Sequence, residues 1–284
     1  MKRGQMRELI AFWCVRMAIV IIVAALGIII WFLGKNGLSI LSWEFLTEPP
    51  REGMTEGGIF PPLVGTLYLI LGTIICALPL GVLAAIYLTE YTRQGKVIRV
   101  IRLGINNLAG VPSVVFGLFG LAFFVIYLGF GVSILSGSLT LTFMILPTII
   151  RASEEALLAV PQTFREASLA LGATRWQTIY KVVLPQAFPG ILTGSILGIG
   201  RAAGETAPII FTAATFYTPH LPRSIFDPVM ALPFHLYVLA TEGTHLEKTL
   251  PIQYGTAIVL LGLVLGINLA AIVWRARLRR KKRW

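Results

Sequence analysis

The chain has 284 residues, of which 56% are hydrophobic and only 13% are charged, and its mean hydropathy is strongly positive at +0.80. One soluble core does not need so many apolar residues, so the composition excludes an ordinary soluble domain and indicates an integral membrane protein. The net charge of +11 leaves nucleic-acid binding open until the positions of the basic residues are considered.

Most apolar residues fall into six stretches that are long enough to cross a bilayer, which takes roughly 20 residues of helix. They are predicted at about 14–33, 63–89, 104–128, 133–158, 186–216 and 254–274. No stretch alternates with period two, so each is predicted to be a helix. The predicted fold class is therefore an all-α integral membrane protein with six transmembrane helices.

The basic residues predict the orientation of these spans. Most of the 24 Lys and Arg residues lie at the chain ends and in the loops on one side of the membrane. Only four lie in loops on the other side: Lys35, Arg51, Arg223 and Lys248. The positive-inside rule therefore predicts that both termini are cytoplasmic, and it explains the basic tail without a nucleic-acid partner. No small-x-small cleavage site follows the first span, so we predict an uncleaved anchor.

We divide the chain into an anchor helix with an outer loop at 1–61 and a transmembrane core at 62–284. The outer segments 34–61 and 217–253 are rich in turn-forming residues, which favours surface loops that are either simply solvated or face a soluble partner. We predict no metal site, because the three histidines of the second segment are 15 and 10 residues apart. They are His220, His235 and His245.

The inner loop at 159–185 is predicted to contain two short amphipathic helices. Pro161 suits the first position of a helix, and apolar residues from Phe164 to Leu171 recur at helical spacing. Gly172 suits the left-handed residue that ends a helix.

The second helix of this loop is predicted to start at Thr174, which forms a capping-box sequence with Gln177. Its apolar face is expected to consist of Trp176, Ile179, Tyr180 and Val183. Pro185 is expected to break the helix before the next span. The two helices, with Arg165 and Glu166 exposed, either form a docking surface for another protein or lie on the membrane surface.

The loop resembles the cytoplasmic EAA loop of permease subunits of ATP-binding-cassette (ABC) importers. The family pattern is Glu-Ala-Ala, three residues, Gly, nine residues and Ile-x-Leu-Pro. The residues in register are Glu166, Ala167, Gly172, Leu184 and Pro185, and Ser168 and Val182 are conservative departures. The resemblance implies that this loop docks on a separate ATPase. The docking residues that it implies are Arg165, Glu166, Ala167, Ser168, Gly172 and Ala173.

Charged residues also lie inside the predicted spans. If the fifth helix begins near Pro185, Arg201 lies roughly 24 Å along it, close to mid-membrane. An arginine there costs about 3 kcal/mol or more, so it normally faces protein or water. Glu205 is one turn away, and Arg151 and Glu154 repeat the combination in the fourth span. A small-residue face is expected on the same side of the fifth helix as the charges: Gly190, Gly194, Gly198 and Pro208.

These residues have two interpretations. They are neutralised ion pairs that hold helices together, or they form a path on which arginines bind an anion and carboxylates hold the arginines at rest. A second resemblance favours the path. Gly110-Val-Pro-Ser-Val-Val-Phe-Gly-Leu-Phe-Gly120 and Arg201-Ala-Ala-Gly-Glu-Thr-Ala-Pro208 resemble signatures of phosphate importer permeases of the PstA type. The resemblance implies the type I importer (MetI-like) fold and a substrate path at Arg151, Glu154, Arg201 and Glu205.

The sequence contains no Gly-x-x-x-x-Gly-Lys-Ser/Thr motif and no recognisable catalytic signature, so we predict no enzymatic activity and no bound cofactor in this chain. The resemblance implies that ATP and Mg²⁺ are used by two partner ATPase subunits. It further implies a homologous PstC-type permease and an extracytoplasmic phosphate-binding protein. The alternatives are a permease for sulfate or molybdate, a transporter or channel driven by an ion gradient, and a membrane-embedded enzyme.

Overall fold

The computed structural model describes residues 3–92, 95–242 and 246–280, and its structure is mostly helical. We number the elements in chain order: α1 (Arg3–Gly37), α2 (Trp43–Thr47), β1 (Pro50–Arg51), β2 (Glu56–Gly57), α3 (Phe60–Ile86), α4 (Lys96–Leu108), α5 (Ser113–Gly120), α6 (Ile134–Leu158), α7 (Gln162–Ala170), α8 (Arg175–Thr178), α9 (Leu184–Gly204), α10 (Ala207–Thr212), α11 (Leu232–Thr241) and α12 (Leu246–Arg280). Short 3₁₀-helices lie at Leu38–Ile40 and Glu52–Met54. Turns of π-helix follow α3, α5 and α8, at Tyr87–Tyr91, Leu121–Tyr127 and Ile179–Val183.

Within the described residues, five helices are long and apolar enough to cross a membrane, and α4 with α5 makes up to six. The five are Phe12–Ile40, Phe60–Tyr91, Ile134–Leu158, Arg175–Gly204 and Thr249–Arg277. The predicted third span, 104–128, is not one straight helix, because α4 and α5 are bent by 102° at a short break. Pro112 is the last residue of this break, and its backbone is extended, with ψ 141°. Since proline also disfavours helical backbone in the residue before it, the chain bends here.

The fifth span was predicted at 186–216, and the helix in the structure begins and ends at other residues. The helix is continuous from Arg175 to Gly204, so the predicted break at Pro185 is wrong. A turn of π-helix at Ile179–Val183 comes just before the proline and changes the local hydrogen-bond ladder, which accommodates a residue without an N–H. At the other end the helix stops at Gly204, well before residue 216, and the chain continues into the short α10.

Helices α6 and α9 pack closely through small residues. Cβ atoms added at Gly190 and Gly194 of α9 would meet the side chains of Ala156 and Ala152 of α6. Small residues at such a crossing allow two backbones to approach, which is how membrane helices associate. The glycine face predicted for the fifth span is therefore confirmed as a packing face against α6.

The outer segment 217–253 is not wholly a surface loop. Its stretch from Val229 to Leu232 enters the core, where Val229 N donates to Ala213 O at 3.0 Å and Leu232 N donates to Thr66 Oγ1 at 2.8 Å. Burial of this apolar stretch is favourable, and these bonds satisfy its backbone. The prediction of a surface segment is thus wrong for this stretch and for the half-buried helix α11 that follows it.

The outer segment 34–61 is also folded. Ser42 caps α2 by accepting a hydrogen bond from Phe45 N at 3.1 Å, and β1 pairs with β2 in an antiparallel hairpin. Phe45 and Ile59 are buried in one apolar cluster with Leu239 of α11 and Ile252 of α12. The two outer segments therefore pack together on one side of the helices.

The histidines of these outer segments do not come together. His235 is buried in α11, His220 is exposed, and His245 lies outside the described residues. Across the described ranges, no group of three or more His, Cys, Asp or Glu residues is arranged to hold a metal ion.

Candidate functional site

Helices α7 and α8 form a hairpin between α6 and α9, as the sequence predicts. The end of α7 is a complete Schellman motif, in which Ala173 N donates to Ser168 O at 3.2 Å and Gly172 N donates to Leu169 O at 3.0 Å. Gly172 has φ +84°, the left-handed backbone that this motif requires and that glycine adopts most readily. The predicted helix stop at Gly172 is confirmed.

The beginning of α8 is held by the predicted capping box. Gln177 N donates to Thr174 Oγ1 at 3.3 Å, and Thr174 N donates to Gln177 Oε1 at 2.9 Å. The hydroxyls of Ser168 and Thr178 are 3.0 Å apart, which links the two helices of the hairpin. Three local devices thus hold the angle between α7 and α8.

The surface of the hairpin that faces away from the rest of the chain is apolar and exposed. Leu171 is 90% exposed at its tip, and the exposed rings of Trp176 and Tyr180 stack with centroids 6.4 Å apart. Ile179 and Val183 are instead buried beneath the hairpin, so the predicted single face of the second helix is divided between core and surface. An exposed apolar patch is typical of a surface that contacts another protein or a membrane.

The predicted docking residues divide in the same way. Glu166, Ala167 and Gly172 are exposed, whereas Ser168 and Ala173 are half-buried. Arg165 contradicts the prediction, because its side chain is only 12% exposed and points inward. Its Nη2 lies 2.7 Å from Glu90 Oε1 at the end of α3. The buried carboxylate explains the orientation, since an arginine gains a strong charge-assisted contact there.

The first charged cluster lies near the end of α6. Arg151 and Glu154 do not pair with each other; Glu154 Oε1 is instead 3.3 Å from Nε of Arg102 on α4. Arg151 is exposed, and among the described residues its side chain has no hydrogen bond or ion pair. The three residues line one cavity together with Asn106 and Glu155. This arrangement leaves one arginine available to an anion.

The second cluster lies at the end of α9. Arg201 Nε donates to Glu205 Oε1 at 3.1 Å, so the predicted pairing is present. Glu205 is not on the helix, however, because α9 ends at Gly204 and Glu205 has extended backbone at ψ 130°. The Arg201 side chain is 43% exposed and, within the described chain, makes no other hydrogen bond. Its two terminal nitrogens therefore remain open to a ligand.

The packing of α6 against α9 sets the distance between the clusters. Gly194 of α9 abuts Ala152, the neighbour of Arg151. Arg201 lies about two turns further along α9 than Gly194, which places it roughly 10 Å from that level at 1.5 Å per residue. The clusters thus lie at two levels of one helix pair, with the Arg151 level nearer to the hairpin.

Comparisons with known proteins give the family. The profile of the family described as "Binding-protein-dependent transport system inner membrane component" matches residues 77–284. The chain belongs to this family. The permease is 39% identical over 269 residues to "Phosphate transport system permease protein PstA 1" of Mycobacterium tuberculosis (strain ATCC 25618 / H37Rv), covering 92% of this chain and 86% of that one. It is 38% identical over 248 residues to "Probable ABC transporter permease protein YqgI" of Bacillus subtilis (strain 168), covering 83% and 84%.

Solved structures agree in fold. A bacterial alginate ABC transporter in complex with its pentasaccharide-bound periplasmic protein includes a chain that matches with TM-score 0.67 and 14% identity, over 95% of this chain and 94% of that one. The inward-facing MetNI methionine ABC transporter matches with TM-score 0.58 and 22% identity, over 78% and 94%. The predicted resemblance and fold class of the permease are therefore confirmed.

Two charged partners of the permease's predicted site residues, Arg102 and Glu90, were missed in the sequence. Arg102 lies in an amphipathic helix whose polar side also carries Arg99 and Asn106, and this polar stripe could have indicated its role. The sequence gives no indication of a role for Glu90, because this residue follows a long apolar span and looks like an ordinary polar helix end. Only the three-dimensional contact between the π-helical turn after α3 and Arg165 of α7 shows this pairing.

Proposed function

We propose that this permease forms the membrane channel of an ATP-driven importer of inorganic phosphate in the bacterial inner membrane. Relatives named as phosphate transport permeases over most of its length support this substrate. The observation that carries the proposal is that two arginines have donors free to bind an anion. Arg151 is unpaired among the described residues, and the terminal nitrogens of Arg201 make no hydrogen bond there. Guanidinium groups keep their charge and bind phosphate-like oxygens through paired donors.

The two clusters form successive binding levels for the anion. Arg201 binds it at one level, and Arg151 binds it roughly 10 Å nearer to the hairpin. Glu205 holds Arg201 at rest through one contact, which an arriving anion competes for. The carboxylates also lower the net charge of each level, so the channel does not become a general anion leak. Arginines at such depth face water or protein rather than lipid, as a path requires.

The hairpin is the proposed docking surface for an ATPase subunit. Its exposed residues Glu166, Ala167, Gly172 and Leu171 lie on the cytoplasmic side in this proposal, together with both termini. Two ATPase subunits use ATP and Mg²⁺, and this chain binds no cofactor. A PstC-type permease completes the pore, and an extracytoplasmic phosphate-binding protein delivers the substrate. Because α6 and α9 flank the hairpin, closure of the ATPases moves both arginine levels between two states.

The test is uptake by the assembled transporter in proteoliposomes supplied with ATP. We expect Arg201→Gln to lose phosphate uptake while the subunits still assemble, and Arg201→Lys to keep part of it, because a single ammonium replaces the fork. Arg277→Gln is the matched control, since Arg277 is exposed on α12 and has no ion pair in the described chain. Normal uptake by assembled Arg201→Gln contradicts the role of this arginine. Uptake of sulfate or molybdate in place of phosphate contradicts the proposed substrate.

A further inference from the structure

A closed set of polar contacts joins the hairpin to the Glu154 cluster. We call it the polar ring, and it connects α3, α4, α6 and α7. It consists of the side chains of Glu90, Arg102, Glu154 and Arg165 and the carbonyl groups of Leu88 and Leu157. Only Glu154 of these side chains belongs to the anion path described above.

One half of the ring is tight. Arg165 of α7 donates from Nε and Nη2 to Glu90 at 3.1 and 2.7 Å, and both side chains are only 12% exposed. The same guanidinium donates from Nη2 to Leu157 O at 2.8 Å and from Nη1 to Val160 O at 2.7 Å. Leu157 is in the last turn of α6 and Val160 is two residues beyond it, at the negative end of the helix dipole, where a cation is favourable. Arg165 therefore fixes α7 to the ends of both α3 and α6.

The other half is loose. Arg102 Nη2 donates to Leu88 O at 3.1 Å, which attaches α4 to the same end of α3. Its Nε is 3.3 Å from Glu154 Oε1, but the two atoms lack hydrogen-bond alignment. The Arg102 side chain is 35% exposed as a whole, but these two facing atoms are buried and neither has a hydrogen-bond partner. The contact between Arg102 and Glu154 is therefore the weakest link of the ring.

We propose that Arg165 and Glu90 are positioning residues that transmit movement of the hairpin to the Arg102–Glu154 contact and so couple ATP use to anion binding at Arg151. This inference rests on the proposed function. The fork of Arg165 has three partners and moves with α7 and the end of α3 as a unit. Displacement of that unit shifts Leu88 O, which holds Arg102, and the unaligned contact with Glu154 breaks first. Glu154 is then released beside the unpaired Arg151 in the same cavity.

The first test compares anion uptake with ATP hydrolysis in the assembled transporter. Arg165→Lys keeps the charge but cannot reach all three partners, and Glu90→Gln keeps the shape but loses the charge. We expect both variants to keep the ATPase subunits bound and to transport at least about fivefold less phosphate for each ATP hydrolysed. Fivefold is the lower end of typical coupling between linked sites. The double variant Arg165→Lys/Arg102→Lys should lose less transport per ATP than the product of the two single losses, because either substitution alone already breaks the ring. Arg277→Lys should behave as wild type.

The second test does not require phosphate transport. Asn106→Cys, in a chain whose Cys14 and Cys76 are replaced, places a thiol in the cavity of the Glu154 cluster. We expect ATP to change its alkylation rate in the wild-type background and not with Arg165→Lys or Glu90→Gln. If both variants keep the wild-type ATP response and the wild-type ratio of phosphate transported to ATP hydrolysed, the proposed role of the polar ring is refuted. It is also refuted if both variants fail to bind the ATPase subunits, because Arg165 and Glu90 would then be docking residues. Absence of phosphate uptake by the wild type, with the ATP response intact, refutes only the substrate.

Discussion

Gly172→Ala tests whether the hairpin is held by its backbone conformation. A Cβ at this position meets no atom within 4 Å, so the substitution creates no clash within the described chain. The cost comes from φ +84°, which a residue with a side chain adopts at a penalty of about 1–2 kcal/mol. That penalty shifts the balance between the native conformation of the hairpin and other conformations by roughly 5- to 30-fold. Binding of the ATPase should weaken by the same factor if it requires the native conformation.

The assay is titration of the purified permease with its ATPase subunit in detergent. Gly172→Asn serves as an intermediate, because asparagine tolerates left-handed backbone better than alanine does. Gly266→Ala is the matched control, since that glycine also has no atom within 4 Å of an added Cβ but has no positive φ. Wild-type affinity for Gly172→Ala refutes the backbone argument. An equal loss for Asn and Ala refutes it as well, because it points to a clash with the partner.

Three further predictions concern stability and capping. Gly194→Ala should destabilise the permease by about 1–3 kcal/mol through overpacking against Ala152, and Ala152→Gly should restore the melting temperature; failure of this rescue contradicts the proposed α6–α9 contact. Thr174→Ala removes the capping box and should cost about 1 kcal/mol, whereas Thr174→Ser should cost less in the same thermal melt, and equal losses contradict the capping role. Burial lowers the pKa of His235 from 6.5 to about 4, so the folded state binds fewer protons than the unfolded state. Stability should therefore be complete above pH 6.5 and fall by up to about 3 kcal/mol towards pH 4, and a His235→Phe variant that keeps this pH dependence contradicts the assignment.

The hairpin of α7 and α8 could be predicted in detail from the sequence because its signals are local. Gly172 and the pair Thr174 and Gln177 act on backbone groups a few residues away, so their roles follow from spacing alone. The break predicted at Pro185 failed because a turn of π-helix before a proline has no reliable sequence signature.

The partners of the charged residues could not be predicted in the same way. The sequence placed Arg165 on the surface and Arg151 beside Glu154, because it shows only neighbours along one helix. The structure pairs Arg165 with Glu90 and Glu154 with Arg102, and both contacts depend on how α3 and α4 pack against later elements. The Arg201–Glu205 pair was predictable because the two residues are four apart, although the helix ends between them.

The most direct test of the proposed function is phosphate uptake by the reconstituted permease with and without its ATPase subunits. The account predicts uptake only when the second permease, the ATPases, the binding protein and ATP are all present. It also predicts that an ion gradient across vesicles holding this chain alone moves no phosphate. Gradient-driven uptake by the isolated chain would contradict the assignment of the energy source to a partner ATPase.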